Sequence, residues 1–255
     1  MAKAYLNYRL KAKKRHGVHS PFVYDLSEEV LHKRSANKAD EIEEIRKRML
    51  RDRTVINLKD YGAGSRKNNG TKRTVSEITK TSSSPVALAQ LMQRLISYLE
   101  LDNVVELGTN LGLTTAYLAA AGPRTNVISL EGDPSLASIA VKNLQKIGLE
   151  AEIIEGRFED NLDLALAKMT SVDFAYIDGN HRKEPTLNYF DKIAEKSTEN
   201  SVLAFGDIHW SPEMEEAWNV IKQNKSVTIT IDLFDLGLVF FRKGRAEVEH
   251  FTIRI

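Results

Sequence analysis

Two Asp–His pairs in the second half of the chain have the residue types and spacing best suited to chemistry. Asp178 and His181 follow one predicted strand, and Asp207 and His209 follow the next. Carboxylates and imidazoles can hold a divalent cation such as Mg²⁺ or Mn²⁺. Either histidine could instead remove a proton, because the reference pKa of histidine is about 6.5. The structural alternative is that Asp178 caps a helix and both histidines are hydrogen-bonded loop residues. Four such residues at two neighbouring strand ends favour a chemical site.

A glycine turn earlier in the chain has the character of a ligand-binding loop. It lies in the segment NVVELGTNLGLTTAYLAAA, where Gly108 and Gly112 let the backbone turn sharply and approach a ligand closely. The G-x-x-x-G spacing matches neither the dinucleotide fingerprint nor a P-loop. Glu106 is unsuited to phosphate, which binds to bare N–H groups. The turn therefore favours a ligand with a positive or hydrogen-bond-donating end.

Two further strand ends complete the predicted pocket. Glu131 ends the second strand, 19 residues past Gly112, where a carboxylate can accept both hydroxyls of a ribose. Gly156, Arg157 and Phe158 follow the third strand, where an adenine ring would lie. Together these residues predict a pocket for a cationic nucleoside, S-adenosylmethionine.

The segments ELGTNLGLTT and LEGDP resemble motifs I and II of class I S-adenosylmethionine-dependent methyltransferases. The resemblance implies that Glu106, Gly108 and Gly112 flank the methionine part of the cofactor and that Glu131 holds the ribose. It also implies that the adenine is bordered by Gly156, Arg157 and Phe158. The remaining candidates for cofactor binding are Asn110, Thr115 and Asp178.

The pattern DGNH after strand four, with an aspartate after strand five, resembles small-molecule O-methyltransferases of the catechol and macrolide types. The resemblance implies that Asp178 and Asp207 hold Mg²⁺ or another divalent cation, which lowers the pKa of the acceptor hydroxyl and orients it. Those enzymes commonly carry an acidic pair or Asp-Asn after strand five, whereas here Gly206 precedes Asp207. One ligand is then missing, or His209 replaces it. The base would be His181, His209 or the metal-activated acceptor itself.

The elements that must position these residues follow from apolar runs that alternate with helical patterns beyond Ser82. The predicted strands are Asn103–Leu107, Asn126–Leu130, Ala151–Glu155, Val172–Ile177, Val202–Phe205, Val227–Leu233 and Leu238–Arg242. The predicted helices are 112–121, 134–148, 160–169, 186–197 and 213–224. This alternation predicts an α/β fold with a doubly wound, mostly parallel, seven-stranded sheet of the Rossmann-like kind. The last two strands should pair antiparallel, because only Phe234–Gly237 separates them.

Residues 1–80 predict a mainly helical extension, with helical patterns at 22–33 and 38–51, a short strand at Thr54–Leu58 and a glycine-rich loop after it. The extension holds 20 Lys and Arg against 10 Asp and Glu, whereas residues 81–255 hold 16 against 25. The asymmetry predicts two parts, a basic extension or lid at 1–80 and a cofactor-binding domain at 81–255. A lid would bring further residues to the acceptor, namely His16, His19, Asp60 and Arg66.

Two segments of the extension bear on its identity. The segment Asp60–Gly64 imitates motif I, but no apolar helix follows it, so we reject it as a cofactor loop. The stretches RHGVHSPFVYDL, DYGAGS and GDIHWSPEM resemble an uncharacterised methyltransferase group found mainly in Bacteroidetes, and this resemblance spans nearly the whole chain. It implies no substrate.

Composition narrows the function further. The chain has 255 residues and no cysteine, which excludes a disulfide framework, Cys-ligated zinc, iron–sulfur clusters and a thiol nucleophile. With neither a secretory signal nor an apolar run long enough to span a bilayer, we expect a cytoplasmic protein. The leading hypothesis is methyl transfer from S-adenosylmethionine to an oxygen of a small hydroxylated molecule, with help from a divalent metal. The alternatives are an RNA or protein methyltransferase guided by the basic segment, and a non-catalytic module that binds the cofactor.

Overall fold

The computed structural model describes residues 2–12, 19–33, 36–58, 72–244 and 247–255. The chain folds as two compact units. The central unit is Arg34–Lys168, and the terminal unit combines Met1–Lys33 with Met169–Ile255. No helix in the described ranges has both the length and the apolar character that crossing a membrane requires.

Helices and strands alternate along most of the chain. The helices are α1 (Ala2–Lys11), α2 (Pro21–Leu26, continued by a π-helical turn at Ser27–Leu31), α3 (Ala39–Met49), α4 (Val75–Ser82), α5 (Val86–Leu99), α6 (Leu113–Ala119), α7 (Pro134–Lys146), α8 (Phe158–Ala167), α9 (Lys183–Glu195) and α10 (Pro212–Lys222). The strands are β1 (Val55–Asn57), β2 (Lys72–Thr74), β3 (Asn103–Leu107), β4 (Asn126–Glu131), β5 (Glu152–Glu155), β6 (Val172–Ile177), β7 (Ser197–Gly206), β8 (Ile229–Asp232), β9 (Leu236–Phe240) and β10 (Glu249–Thr252). This order confirms the predicted α/β class.

The central unit carries three parallel strands in the order β3-β4-β5. Four of the five residues of β3 are buried, which is typical of a parallel strand covered on both faces. Helix α7 begins where the sequence predicted, because Pro134 occupies its first position and the Asp133 carboxylate accepts hydrogen bonds from the next two backbone N–H groups. The unit thus aligns the carboxyl ends of β3, β4 and β5 at one edge.

Residues 36–82 share a hydrophobic core with the glycine turn and its helices. Ile42, Ile45 and Ile78 pack in one cluster with Leu113 and Tyr117. The Tyr117 hydroxyl also donates to the Glu43 carboxylate at 3.0 Å. The helices that follow the glycine turn therefore pack against residues 36–82. The predicted domain boundary near residue 80 stays a prediction.

The terminal unit carries five strands in the order β10-β8-β9-β7-β6. The predicted antiparallel hairpin is confirmed as β8 paired with β9, and β9 also pairs antiparallel with β7. The predicted count of seven strands is approximate, because in the described residues β10 adds an eighth strand, parallel to β8, to those of the two units. Its four residues gave no strong signal, since a sequence of EHFT is short and half polar.

Two parts of the N-terminal prediction also need correction. The glycine-rich stretch predicted as a loop ends in β2, which pairs antiparallel with β1, and the rest of it lies outside the described residues. The sequence does not predict helix α1, because it lacks a helical stripe of apolar residues there. Among the described side chains of α1, Tyr8 is the buried one. The Tyr8 hydroxyl donates to the Ile253 carbonyl at 2.6 Å, which ties α1 to the end of the chain.

Gly112 is needed for packing as well as for its backbone conformation. Its φ is +78°, and a Cβ atom there would lie 2.8 Å from the Ala140 Cβ in α7. We expect Gly112→Ala to lower the free energy of unfolding by about 2–4 kcal/mol, through backbone strain and overpacking together. Gly148→Ala is the matched control, because its φ is +61° and a Cβ would meet nothing within 4 Å. Urea unfolding measures both, and an equal loss in the two variants would contradict the packing argument.

Candidate active site

The turn between β3 and α6 is organised around the buried carboxylate of Glu106. Its Oε2 accepts hydrogen bonds from the Thr115 hydroxyl at 2.5 Å and the Ser129 hydroxyl at 2.6 Å. Glu106 and Thr115 are both fully buried. Gly108 has a φ of +109°, and its N–H donates to the Leu130 carbonyl. This hydrogen bond joins the turn to the end of β4. These contacts fix the loop, and the predicted contact of Glu106 with a cofactor stays a prediction.

Asn110 presents a polar atom that the surrounding protein leaves unsatisfied. Its φ is +52°, in the left-handed region that asparagine adopts more readily than most residues. Its side-chain N–H₂ donates to the Ser82 carbonyl. Its Oδ1 is buried and has no hydrogen-bond partner within the described part of the chain. An unpaired buried acceptor costs about 1–3 kcal/mol, which a ligand that donates a hydrogen bond would recover.

Glu131 is the titratable group most clearly perturbed in the central unit. Its Oε2 accepts from the Asn110 backbone N–H at 2.7 Å, and its Oε1 accepts from the Asp133 backbone N–H at 2.9 Å. Burial raises the pKa of Glu131 to about 7, although these backbone hydrogen bonds act in the opposite direction. A carboxylate offers about four acceptor positions, so both oxygens keep capacity for further donors.

The third predicted group lies between β5 and α8. Gly156 has a φ of +125°, and its N–H donates to the Glu131 carbonyl at 2.9 Å. Phe158, the first residue of α8, is half-buried, and Arg157 is exposed. The structure therefore brings the Gly156 backbone to Glu131, as a shared pocket requires, while the adenine contacts stay predictions.

In the terminal unit, three of the four predicted chemical residues lie together. Asp178, His181 and Asp207 each offer one ligand atom within 4.8 Å of the others. The His181 Nε2 lies 3.7 Å from the Asp207 Oδ2 and 4.0 Å from the Asp178 Oδ1. The Tyr176 hydroxyl donates to the other oxygen of Asp178 at 2.8 Å, which orients that carboxylate. We call these three residues the Asp–His–Asp cluster.

A side chain at position 206 would have no room beside Asp178. A Cβ atom at residue 206 would lie 2.3 Å from the Asp178 Oδ1 and 3.0 Å from its Cγ. An acidic residue at this position would therefore collide with Asp178 unless the carboxylate moved. The sequence departs from the expected acidic pair because the Asp178 carboxylate occupies that space.

His209 lies outside the Asp–His–Asp cluster, and the alternative that it replaces a missing ligand stays a prediction. Its Nε2 lies 3.0 Å from the Asp232 Oδ2, and its Nδ1 lies 3.3 Å from the Glu215 Oε1. Burial disfavours the imidazolium, but the hydrogen bonds and charges of these two carboxylates outweigh it and raise the pKa of His209. The ring also stacks on Phe234, with centroids 5.1 Å apart. Both ring nitrogens are thus occupied, and His209 secures its loop.

Sequence reasoning missed the two carboxylates that bind His209. Glu215 lies six residues after His209, on α10, and Asp232 lies at the end of β8. The register of the β8–β9 hairpin brings Asp232 to His209, and no local sequence pattern predicts this contact. Four residues of the extension are predicted to face an acceptor. His19 is exposed, whereas the structure does not describe His16, Asp60 and Arg66. The rejected segment Asp60–Gly64 also lies outside the described residues.

Comparison with known proteins places this geometry in context. Residues 105–208 match the family model described as a methyltransferase domain. A catechol O-methyltransferase from Niastella koreensis is 32% identical over 123 residues, which cover 47% of this chain and 55% of that protein. The O-methyltransferase imqG from Aspergillus flavus is 30% identical over 102 residues, which cover 37% of this chain and 40% of that protein. The chain thus spans about half the length of the curated relatives that it matches.

Solved structures agree on the fold. The O-methyltransferase TomG from Streptomyces achromogenes, solved in complex with SAM, has a TM-score of 0.57 at 19% identity, covering 64% of this chain and 82% of its own. An O-methyltransferase from Bacillus cereus, solved in complex with SAH, has a TM-score of 0.56 at 19% identity, covering 84% and 94%. At this identity the likeness shows the fold, which is the Rossmann-like methyltransferase fold that the sequence predicted.

The raised pKa of Glu131 makes stability depend on pH. The folded protein holds this proton up to about pH 7, whereas the unfolded chain releases it near pH 4.5, so the free energy of unfolding falls as the pH rises through this window. We expect Glu131→Gln to remove this dependence, so that the variant gains about 2–3 kcal/mol on wild type between pH 4.5 and pH 8.

Urea unfolding at several pH values measures the effect, and the change with pH matters rather than the offset at one pH. Glu150→Gln, at an exposed residue two positions before β5, controls for replacing a carboxyl group with an amide in the same unit. A constant offset for Glu131→Gln would show that the group titrates near its ordinary value.

Proposed function

We propose that this chain, which carries a methyltransferase domain of the class I fold at residues 105–208, transfers the methyl group of S-adenosylmethionine to a hydroxyl oxygen of a small molecule. The named relatives are O-methyltransferases, one of them acting on catechol by its name. The observation that carries the proposal is the buried carboxylate of Glu131 beside the unsatisfied amide oxygen of Asn110.

The central unit fits the cofactor in donor and acceptor chemistry. The two hydroxyls of a ribose are donors, and Glu131 has acceptor capacity on both carboxylate oxygens. The amino group of the methionine part is a cationic donor, and the Asn110 Oδ1 is an acceptor without a partner in the described residues. Glu106 adds a buried carboxyl group behind the same turn, which is better suited to a cationic sulfonium ligand than to a phosphate.

The Asp–His–Asp cluster supports divalent-metal assistance. The cluster offers two carboxylates and one imidazole, which are suitable ligands for a divalent cation. Tyr176 orients one carboxylate, and His209 secures the loop that carries the other. We assign Asp178 and Asp207 as residues that hold the metal. When bound, the metal would lower the pKa of an acceptor hydroxyl and orient it.

The remaining chemistry asks for positioning and removal of one proton. The acceptor oxygen bonds to the methyl carbon while the carbon–sulfur bond breaks, and the hydroxyl proton leaves to a base. Of the two predicted histidines, His181 is the one that faces the carboxylates of Asp178 and Asp207. His209 is held instead by Asp232 and Glu215. Trp210 lies beside His181, with ring centroids 6.1 Å apart, and would line the acceptor side.

Calorimetric titration with S-adenosylhomocysteine tests the pocket. We expect micromolar binding to wild type and at least about tenfold weaker binding to Glu131→Ala, since hydrogen bonds to a charged group contribute about 1.5–3 kcal/mol. Glu152→Ala on β5 is the control and should bind like wild type. Absence of binding to the folded wild-type protein would refute the proposed function.

Turnover tests the assignment of the two aspartates. With labelled S-adenosylmethionine and catechol or related phenols as acceptors, we expect Asp178→Asn and Asp207→Asn to lose at least about 100-fold in rate, as removal of a charge-stabilising group does. Both variants should still bind S-adenosylhomocysteine. Asp173→Asn, at the opposite end of β6 from Asp178, is the matched control. Unchanged turnover in both cluster variants would remove the metal assignment.

A further inference from the structure

We propose that His181 is the third metal ligand beside Asp178 and Asp207, and that its nitrogen makes the site prefer a transition-metal dication, such as Mn²⁺ or Co²⁺, over Mg²⁺. This inference rests on the proposed metal assistance and specifies the metal class. The resemblance at the sequence level implied oxygen ligands with one position missing or filled by His209, whereas the structure presents a different histidine.

The distances suit three groups around a common ion. The separations of 3.7 and 4.0 Å from the His181 Nε2 to the two carboxylates exceed an ordinary hydrogen bond of about 2.7–3.2 Å. Two donors that are each about 2.1 Å from one ion at a tetrahedral angle lie about 3.4 Å apart. The three ligand atoms lie within 4.8 Å of one another, so side-chain shifts of about 1 Å would let both carboxylates and the imidazole share one cation.

The surrounding contacts hold two of the three donors, Asp178 and Asp207, in place. Tyr176 hydrogen-bonds the Asp178 Oδ2, and the Oδ1 of the same carboxylate is the oxygen nearer His181. Asp207 has a φ of +56°, its N–H donates to the Asp235 carbonyl at 2.9 Å, and its carbonyl accepts from the Trp210 N–H at 2.8 Å. Hydrogen bonds of this kind orient metal-binding side chains in known sites.

The choice of histidine follows from what each ring contacts. His209 places both nitrogens against carboxylates outside the cluster, so it cannot turn to a metal without breaking two polar contacts. His181 directs Nε2 between Asp178 and Asp207. Gly206 keeps the neighbouring position clear, because any side chain there would strike Asp178. The cluster is thus built with one nitrogen and two carboxylate donors.

Ligand chemistry then decides the metal class. Mg²⁺ favours oxygen ligands and gives up its water reluctantly, whereas imidazole is a favourable ligand for transition-metal dications. Among these, affinity for a mixed nitrogen and oxygen site generally rises from Mn²⁺ to Co²⁺. A His-containing set should therefore bind Mn²⁺ and Co²⁺ more tightly than Mg²⁺.

Electron paramagnetic resonance of Mn²⁺ provides a readout that does not need activity. The full chain, stripped with a chelator, is titrated with Mn²⁺ alone, and Mg²⁺ is then added as competitor. We expect Mn²⁺ to bind at least about tenfold more tightly than Mg²⁺. Spin-echo modulation should detect one coordinated imidazole nitrogen. In His181→Gln this nitrogen signal should vanish and Mn²⁺ should bind at least about tenfold more weakly, a loss of the size seen when metal-site partners are removed.

Two variants sharpen the assignment. His181→Asp converts the donors to three carboxylates and should narrow the preference for Mn²⁺ over Mg²⁺. Retained metal binding in this variant would show that a folded site remains. His250→Gln is the matched control, because His250 lies in the same unit, hydrogen-bonded to Thr230 and outside the cluster. It should leave the Mn²⁺ affinity and the nitrogen signal unchanged.

Three results would overturn the inference: no Mn²⁺ binding to wild type, a nitrogen signal that persists in His181→Gln, or equal affinities for Mn²⁺ and Mg²⁺. The first would leave His181 available as a proton acceptor in a metal-free site. Titration of the same samples with S-adenosylhomocysteine separates this inference from the proposed function. Cofactor binding without metal binding refutes only the inference, whereas metal binding without cofactor binding refutes methyl transfer.

Discussion

The hydrogen bond from the Asn110 backbone N–H to the Glu131 carboxylate is the contact on which the proposed cofactor site of the central unit depends. It joins the turn after β3 to the end of β4, and the Asp133 N–H and the Gly156 N–H extend the connection to α7 and to β5. Burying this carboxylate costs free energy, which the backbone donors offset only in part, as the raised pKa shows. A group that is kept buried at such a cost is a marker of a functional site.

The sequence predicts elements well where burial follows a strong pattern. Strands β3 and β6 have the predicted bounds because each is an apolar run in a buried parallel arrangement. Helix α4 is different: Thr74 and Glu77 form a reciprocal capping box, a local signal that was available but obscured by the polar stretch before it. Helix α1 and β10 have no such signal, and long-range contacts hold both: the Tyr8 hydrogen bond to Ile253 holds α1, and pairing with β8 holds β10.

The site shows the same division between local and long-range information. Asp178 and Asp207 could be placed from sequence, since parallel strands bring their carboxyl ends to one edge. Which histidine turns toward them could not, because both follow a strand end within four residues. The decision rests on Asp232, whose position depends on the register of the β8–β9 hairpin. The sequence shows Gly206 only as a departure from the expected acidic pair, whereas the structure shows that the Asp178 carboxylate lies where a side chain at 206 would begin.

The partners of His209 link the N-terminal helix to the Asp–His–Asp cluster. Phe234 stacks on His209, and both Tyr5 and Tyr8 of α1 pack against Phe234, with centroids 5.0 and 5.3 Å away. His209 lies two residues after Asp207, and the Asp207 N–H is bonded to the Asp235 carbonyl in the turn that carries Phe234. Displacing α1 would therefore expose the aromatic face that holds this turn. Helix α1 thus contacts, through Phe234, the same ring of His209 that Asp232 and Glu215 hold.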